Sequence, residues 1–143
     1  MIHLNDVIHE EGFTTGHDEE RDSAIADVDA LADYLDGRED VLFESHLAHH
    51  FAADRVVVLR CHPEELSRRL TERGEPDPKV SENADSEALD VVLAEAVNRH
   101  GEESVYEIDT TDRTVDETAA AIEAVVAGER DPAAGVVSFV DYL

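Results

Sequence analysis

Glu44, His46 and a group of arginines are the residues of this chain best suited to chemistry on a phosphate. Glu44 closes the apolar run Val41-Leu42-Phe43 and is followed by Ser45 and His46. Further on come Arg55-Val-Val-Val-Leu-Arg60-Cys61, then Arg68-Arg69, then Arg73-Gly74. A carboxylate at the exit of a buried strand can hold Mg²⁺ through water or orient a nucleophile. Guanidinium forks suit phosphate oxygens. Each of these has a plainer alternative: Glu44 as a solvated loop carboxylate, the arginines as an exposed helix face laced with ion pairs. His46, His49 and His50, spaced three and four apart, could with Glu44 form the ligand set of a metal-dependent enzyme. The lone Cys61 and the lack of a second ligand cluster argue against zinc. A place for His46 beside phosphate, with His49 and His50 packing or facing water, is the preferred reading. His3, His9, His17 and His62 give no signal separable from surface histidine.

Residues of this kind must be carried by elements that bring them to one edge. Ile2–Asn5 reads as a short strand or strand end, and Asp6–Glu11 as a helical turn stopped by Gly12. Thr14–Asp22 is polar and loop-like. Ser23–Leu35 has Ile25, Val28, Leu31, Ala32 and Leu35 at helical spacing and ends at Asp36-Gly37. Val41–Glu44 and Val56–Cys61 are bounded apolar runs, as buried parallel strands are. Pro63 starts a helix that runs over Glu64–Arg73 to Gly74. Ser86–Arg99 predicts a further helix, Val105–Ile108 a strand, and Thr114 with Glu117 a capping box ahead of a helix through Val126. Strands alternating with helices predict an α/β fold with a parallel sheet, in which ligands lie beyond the carboxyl ends of the strands.

Composition narrows the classes. The chain has 143 residues, 36 acidic against 11 basic side chains and a formal net charge of −25. Hydrophobic residues make up 42%, too many for a disordered acidic chain. Six of the 11 basic residues, Arg55, Arg60, Arg68, Arg69, Arg73 and Lys79, fall in one stretch of 25 positions. The acid is spread along the whole chain, which points to a salt-adapted, halophilic protein whose self-repulsion is screened by its medium. A basic surface for DNA is excluded at this charge. One cysteine excludes an internal disulfide, and no apolar run approaches the ~20 residues of a membrane span. With no basic, apolar leader evident, a single cytoplasmic domain over 1–143 is expected.

Taken in order, several segments resemble the adenylate kinase isoenzyme 6 family in its archaeal form. They are Leu4-Asn5-Asp6, Glu10-Glu11-Gly12, Asp18 to Ser23, Glu44-Ser45-His46-Leu47, Val56 to Cys61, Arg69-Leu70 with Arg73-Gly74, Lys79, Glu82-Asn83, and Tyr106 to Thr111. The resemblance implies a P-loop nucleoside monophosphate kinase fold with helices on both faces of its sheet. It implies transfer of the γ-phosphate of ATP to AMP or another nucleoside monophosphate, ATPase activity, Mg²⁺, and a part in maturation of the 30S ribosomal subunit beside a basic small-subunit ribosomal protein. Residue by residue, it implies that 3–26 bind the monophosphate through Asn5, Asp6, Arg21 and Asp22. Glu44 stands for a Walker-B-like acid and His46 for its catalytic neighbour. Residues 72–82 form a lid, with Arg73, Lys79 and, further on, Arg113 contacting ATP.

The chain departs from that family in one respect. No G-x-x-x-x-G-K-[ST] phosphate loop occurs in it, and its lysine, Lys79, follows no such run. By the family pattern roughly thirty residues, carrying a first strand and that loop, would precede Met1. Two expectations follow: weak or no kinase activity in these 143 residues, and altered strand pairing around Val41–Glu44 and Arg55–Cys61. A non-catalytic assembly factor that binds through its acidic surface is the alternative to an enzyme.

Overall fold

The computed structural model describes residues 1–18, 23–38 and 41–142. It divides into two compact units, Met1–Phe51 and Ala52–Leu143.

In the first unit, β1 (Ile2–His3) runs directly into α1 (Leu4–Glu11), which Gly12 closes with a left-handed φ of 68°. Gly12 suits that position because a Cβ there would be strained. β2 (Thr14–Asp18) and β3 (Ser23–Ala26) pair antiparallel, with a register shift between Thr14 and Gly16. Helix α2 (Val28–Leu35) follows, and β4 (Phe43–Glu44) pairs parallel with β1. A short 3₁₀ turn spans Ala48–His50. The core gathers Leu4, Val7 and Ile8 from one face of α1 with Leu31 and Phe51.

Two expectations are corrected here. Thr14–Asp18 is strand rather than loop, and Ser23–Leu35 is not one helix but a strand and a helix. Asp27 decides the second: its carboxylate accepts from the Ala30 N–H at 3.1 Å, which caps α2 and stops the helix from reaching back to Ser23. The strand around Val41 is also shorter than its apolar run, covering only Phe43–Glu44.

In the second unit, β5 (Val56–Arg60) and β6 (Val105–Asp109) pair parallel in register from Val56–Val105 to Arg60–Asp109. Helices α3 (Pro63–Glu72), α4 (Asp77–Ala88) and α5 (Val91–His100) lie between them in sequence, and α6 (Val115–Val126) follows. Pro63 at the first helical position and the reciprocal Thr114–Glu117 capping box start α3 and α6 as the sequence predicts, and the His62 ring, which the sequence did not single out, caps α3 by accepting from Glu64 N–H at 3.2 Å. Val56, Val58, Leu93, Ala96 and Val105 pack on one side, and Tyr106, Ile108, Ala121 and Val125 form a second cluster. The single helix expected over Ser86–Arg99 is two helices broken at Leu89-Asp90. Asp90 has a left-handed φ of 57°, because its carboxylate is drawn to Arg60. The tail lies against β6: Glu107 N–H donates to Ala133 C=O at 2.8 Å and Ala133 N–H to Val105 C=O at 3.0 Å. Among the described residues, no helix is long and apolar enough to cross a membrane.

Candidate functional site

In the first unit, parallel pairing sets His3 opposite Glu44, and their side chains meet, Nδ1 to Oε1, at 2.8 Å. Glu44 keeps 54% of its side chain exposed. The next residue, Ser45, donates to Asn5 Oδ1 at 3.5 Å and accepts from Leu47 N–H at 3.1 Å. Asn5 and Asp6 are exposed in the first turn of α1. The exit of β4 and the start of α1 therefore stand side by side, joined by the His3–Glu44 and Ser45–Asn5 contacts. His46 follows in an exposed turn. Arg21 and Asp22 lie outside the described residues. His49 is buried, with its ring 4.1 Å from that of His50. Among the described residues, His49 and His50 offer ligand atoms within 4.8 Å of each other, and Glu44 and His46 are not in that group.

In the second unit, a cleft of about 560 Å³ opens between the start of the helical hairpin and the ends of β5 and β6. Leu59, Cys61, Leu66 and Leu70 give it an apolar side, while Arg69, Arg73 and Thr110, with the carboxylates Glu72 and Glu87, give it a polar one. The two arginines, one helical turn apart, play different parts. Arg69 is spent on structure: Nη2 donates to the carbonyls of Thr110 and Thr111 at 3.0 and 3.2 Å, Nη1 to Thr110 Oγ1 at 3.3 Å, and Nε to Glu65 at 3.1 Å. Arg73 is 69% exposed and makes one loose ion pair, at 3.5 Å, with Glu75. Lys79 reaches the other oxygen of Glu75 at 3.1 Å. One acidic residue thus gathers Arg73 and Lys79 at the tip of the α3–α4 hairpin. Arg113 stands apart from them, exposed in the loop between β6 and α6, where its charge helps lower the Glu117 carboxyl below the usual range behind the stronger effect of the Thr114 cap. Burial pushes the Cys61 thiol up, and the nearby Arg69 charge only partly opposes this. Cys61 thus lines the cleft as a buried thiol whose protonated form is favoured.

The remaining basic residues of the 55–79 stretch are structural. Arg68 bridges Glu65 and Glu72 on the α3 surface. Arg55 donates to the Val125 and Val126 carbonyls at 2.8 and 3.0 Å, satisfying the open end of α6. Arg60 is wholly buried among Glu87, Asp90 and Glu107. Burial alone would lower its pKa; the Glu87 charge and the three carboxylate hydrogen bonds outweigh this and raise it. Neither this centre nor the His3–Glu44 contact was signalled by the sequence. The one available hint was a charged residue, Arg60, closing an otherwise apolar strand.

Comparison with known proteins places this geometry. A family model described as an AAA domain matches residues 1–90. A protein of Natronomonas pharaonis, named "Putative adenylate kinase", is 61% identical over 143 residues, spanning 100% of this chain and 85% of its own. The chain belongs to this archaeal adenylate kinase family. A relative of the same name from Halobacterium salinarum is 57% identical over 144 residues, with the same coverage of 100% and 85%. Another from Methanosarcina acetivorans is 42% identical over 136 residues, covering 88% of this chain and 72% of its own. The parallel ladders, flanking helices and strand-end clefts are those of a nucleotide kinase-like α/β fold of the P-loop class.

Proposed function

We propose that this chain acts as a nucleoside monophosphate kinase, moving the γ-phosphate of ATP to AMP or a related monophosphate, with ATPase activity when the acceptor is absent. By family it is a phosphotransferase. The single observation that carries the reading is identity of 61% over the whole chain to a relative named as an adenylate kinase. The cleft supports it. Its apolar side suits a base, and Arg73 and Lys79, held at the hairpin tip by one shared and partly exposed carboxylate, can turn to a triphosphate. Residues 72–82 then serve as a lid that excludes water from the transfer. Residues 3–26, with Asn5, Asp6, Arg21 and Asp22, take the monophosphate, and Arg113 adds an outer contact to ATP. The whole of 1–143 serves as one catalytic domain.

Glu44 is the proposed acid, with His46 beside it. A half-exposed carboxylate engaged through one oxygen fits a hard cation held through water, and Mg²⁺ would there offset phosphate charge. His3, bonded to Glu44, fixes that side chain.

These 143 residues contain no Gly-rich phosphate loop. Its backbone cradle and lysine do much of the positioning in this reaction. We therefore expect the 143-residue chain to transfer phosphate far more slowly than a form of it extended upstream with such a loop. The test is ADP formation from ATP and AMP with Mg²⁺ at high salt, the two forms side by side. Equal rates would refute the need for the loop. Binding of both nucleotides with little turnover is the expected result, and binding of neither would end the kinase reading for this chain.

The net charge of −25 favours a second role, in a salt-rich cytoplasm, as a partner of a basic small-subunit ribosomal protein during 30S maturation. Retention of such a protein without nucleotide would support it.

A further inference from the structure

Arg60 ends β5 with none of its side chain exposed. Nε donates to Glu87 Oε1 at 2.7 Å, and Nη1 to Glu107 Oε2 at 2.5 Å. Nη2 donates to Asp90 Oδ1 at 2.5 Å and to the Glu87 carbonyl at 3.2 Å. The Phe139 ring covers the guanidinium at 5.2 Å. One side chain thus grips the last turn of α4, the residue that starts α5, and the middle of β6. The grip is doubled at both glutamates. Glu87 Oε2 accepts from Cys61 N–H at 2.9 Å, and Glu107 Oε1 from the N–H groups of Val136 and Val137 at 2.9 and 3.2 Å. Asp90 is the looser arm, 34% exposed, in a left-handed backbone conformation that glycine adopts freely and that Asp and Asn tolerate better than other side chains.

Helix α4 carries Lys79 at its opposite end, paired with the Glu75 that also holds Arg73. A helix of this length is stiff, so what fixes Glu87 fixes where Lys79 points.

We propose that Arg60 is a positioning residue for the triphosphate segment: by locking the base of α4 to β5 and β6, it sets the reach of Lys79 and Arg73 over the cleft. This rests on the reading of Arg73 and Lys79 as ATP contacts. Arg60 touches no substrate in this account. Its fork does what a single ammonium cannot, and Asp90 is the arm through which the lock loosens without emptying the buried centre.

The experiment uses the full chain in high salt with two variants. D90G tolerates the left-handed backbone and removes the exposed arm; D90N keeps an acceptor oxygen in a residue that accepts this conformation. Hydrogen exchange is read by segment, and ATP and AMP binding by titration calorimetry with Mg²⁺. For D90G, amides of residues 77–88 are expected to exchange about tenfold faster while those of β5 and β6 keep their protection. ATP affinity is expected to fall roughly fivefold, with AMP affinity unchanged and D90N close to the unmodified chain. Unchanged exchange in α4, acceleration of all elements alike, or faster α4 exchange with unchanged ATP affinity would each overturn the proposal. If the unmodified chain takes up no ATP, the functional reading fails and the triphosphate part of this proposal with it, whereas the exchange pattern still decides whether Arg60 holds α4.

Discussion

Arg69 and Arg73 show how two identical side chains on one helix face divide their labour. Every nitrogen of Arg69 already donates to a protein acceptor, and one of them, Nη2, serves two carbonyls of the loop after β6. Arg73 projects into solvent with one weak partner. Arg73→Ala should therefore leave the melting temperature almost unchanged and weaken ATP binding by about tenfold, since a hydrogen bond to a charged group contributes about 1.5–3 kcal/mol. Arg69→Ala should do the reverse, lowering stability by about 1–3 kcal/mol because buried carbonyls lose their donor. Parallel thermal melts and nucleotide titrations of the two variants would separate the roles, and equal effects of both on binding would refute this division. Glu87 gives a pH prediction at the same scale. Burial raises its carboxyl above the ordinary 4.5, and the neighbouring Asp90 adds to this while Arg60 opposes it. Three carboxylates share one guanidinium here, so a single positive charge does not offset the burial of Glu87. A raised folded-state pKa means that the folded chain binds the proton more readily than the unfolded one. Its contribution to stability is present below 4.5 and lost as pH rises through the folded value. Glu87→Gln should flatten the stability curve in the window just above 4.5, though the amide, facing two donors, lowers stability overall. Denaturant midpoints across that window check it.

Among the elements, α6 is the one whose start is most clearly written in the sequence, and it offers the simplest test. Thr114 Oγ1 accepts from Glu117 N–H at 3.1 Å, and the Glu117 carboxylate returns the bond to Thr114 N–H at 3.1 Å. Thr114→Ala should lower stability by about 1 kcal/mol, seen as a shifted denaturant midpoint with an unchanged slope. Cues of this local kind explain what could be read in advance: Pro63 at the start of α3, the capping box, and the apolar runs that became β5 and β6. The failures had distant causes. The break between α4 and α5 depends on Asp90 meeting Arg60, thirty positions earlier, and helical periodicity across Ser86–Arg99 carries no trace of it. The β2–β3 hairpin was hidden because Ile25, Val28 and Leu31 fit helical spacing as well as they fit a strand followed by a capped helix. At the site, the position of Glu44 at the end of a strand was legible from its place after an apolar run. Its partner His3 was not, because that contact exists only through the parallel register of β1 with β4. The basic stretch 55–79 was legible as a cluster but not as a division between Arg73 and Lys79, gathered by Glu75 at the hairpin tip, and four arginines spent on the fold.

Across the whole molecule, charge is the governing quantity. A net charge of −25 on 143 residues opposes folding through self-repulsion that no internal ion pair cancels. The ion pairs at Arg68, Arg69, Arg73 and Lys79 are partly or largely exposed, and each contributes little. The Arg60 centre is shielded from the medium, so it should resist screening that weakens the surface pairs. Salt therefore acts in two opposed ways: it relieves the general repulsion and weakens the few exposed attractions. The repulsion is the larger, because acidic residues outnumber basic ones 36 to 11. The melting temperature should rise on going from low salt to molar KCl, by about 10 °C or more. An equal concentration of sucrose, which strengthens burial without screening charge, should give a smaller gain. If sucrose matched KCl, the stabilisation would come from burial rather than from screening, and the surface acid would need another explanation. The Arg60 centre supplies an internal control. If the salt effect acts on surface repulsion, D90N, which neutralises one carboxylate already paired with Arg60, should keep nearly the same salt dependence as the unmodified chain, whereas neutralising several exposed acidic residues of α6, such as Asp116 and Glu123, should reduce it.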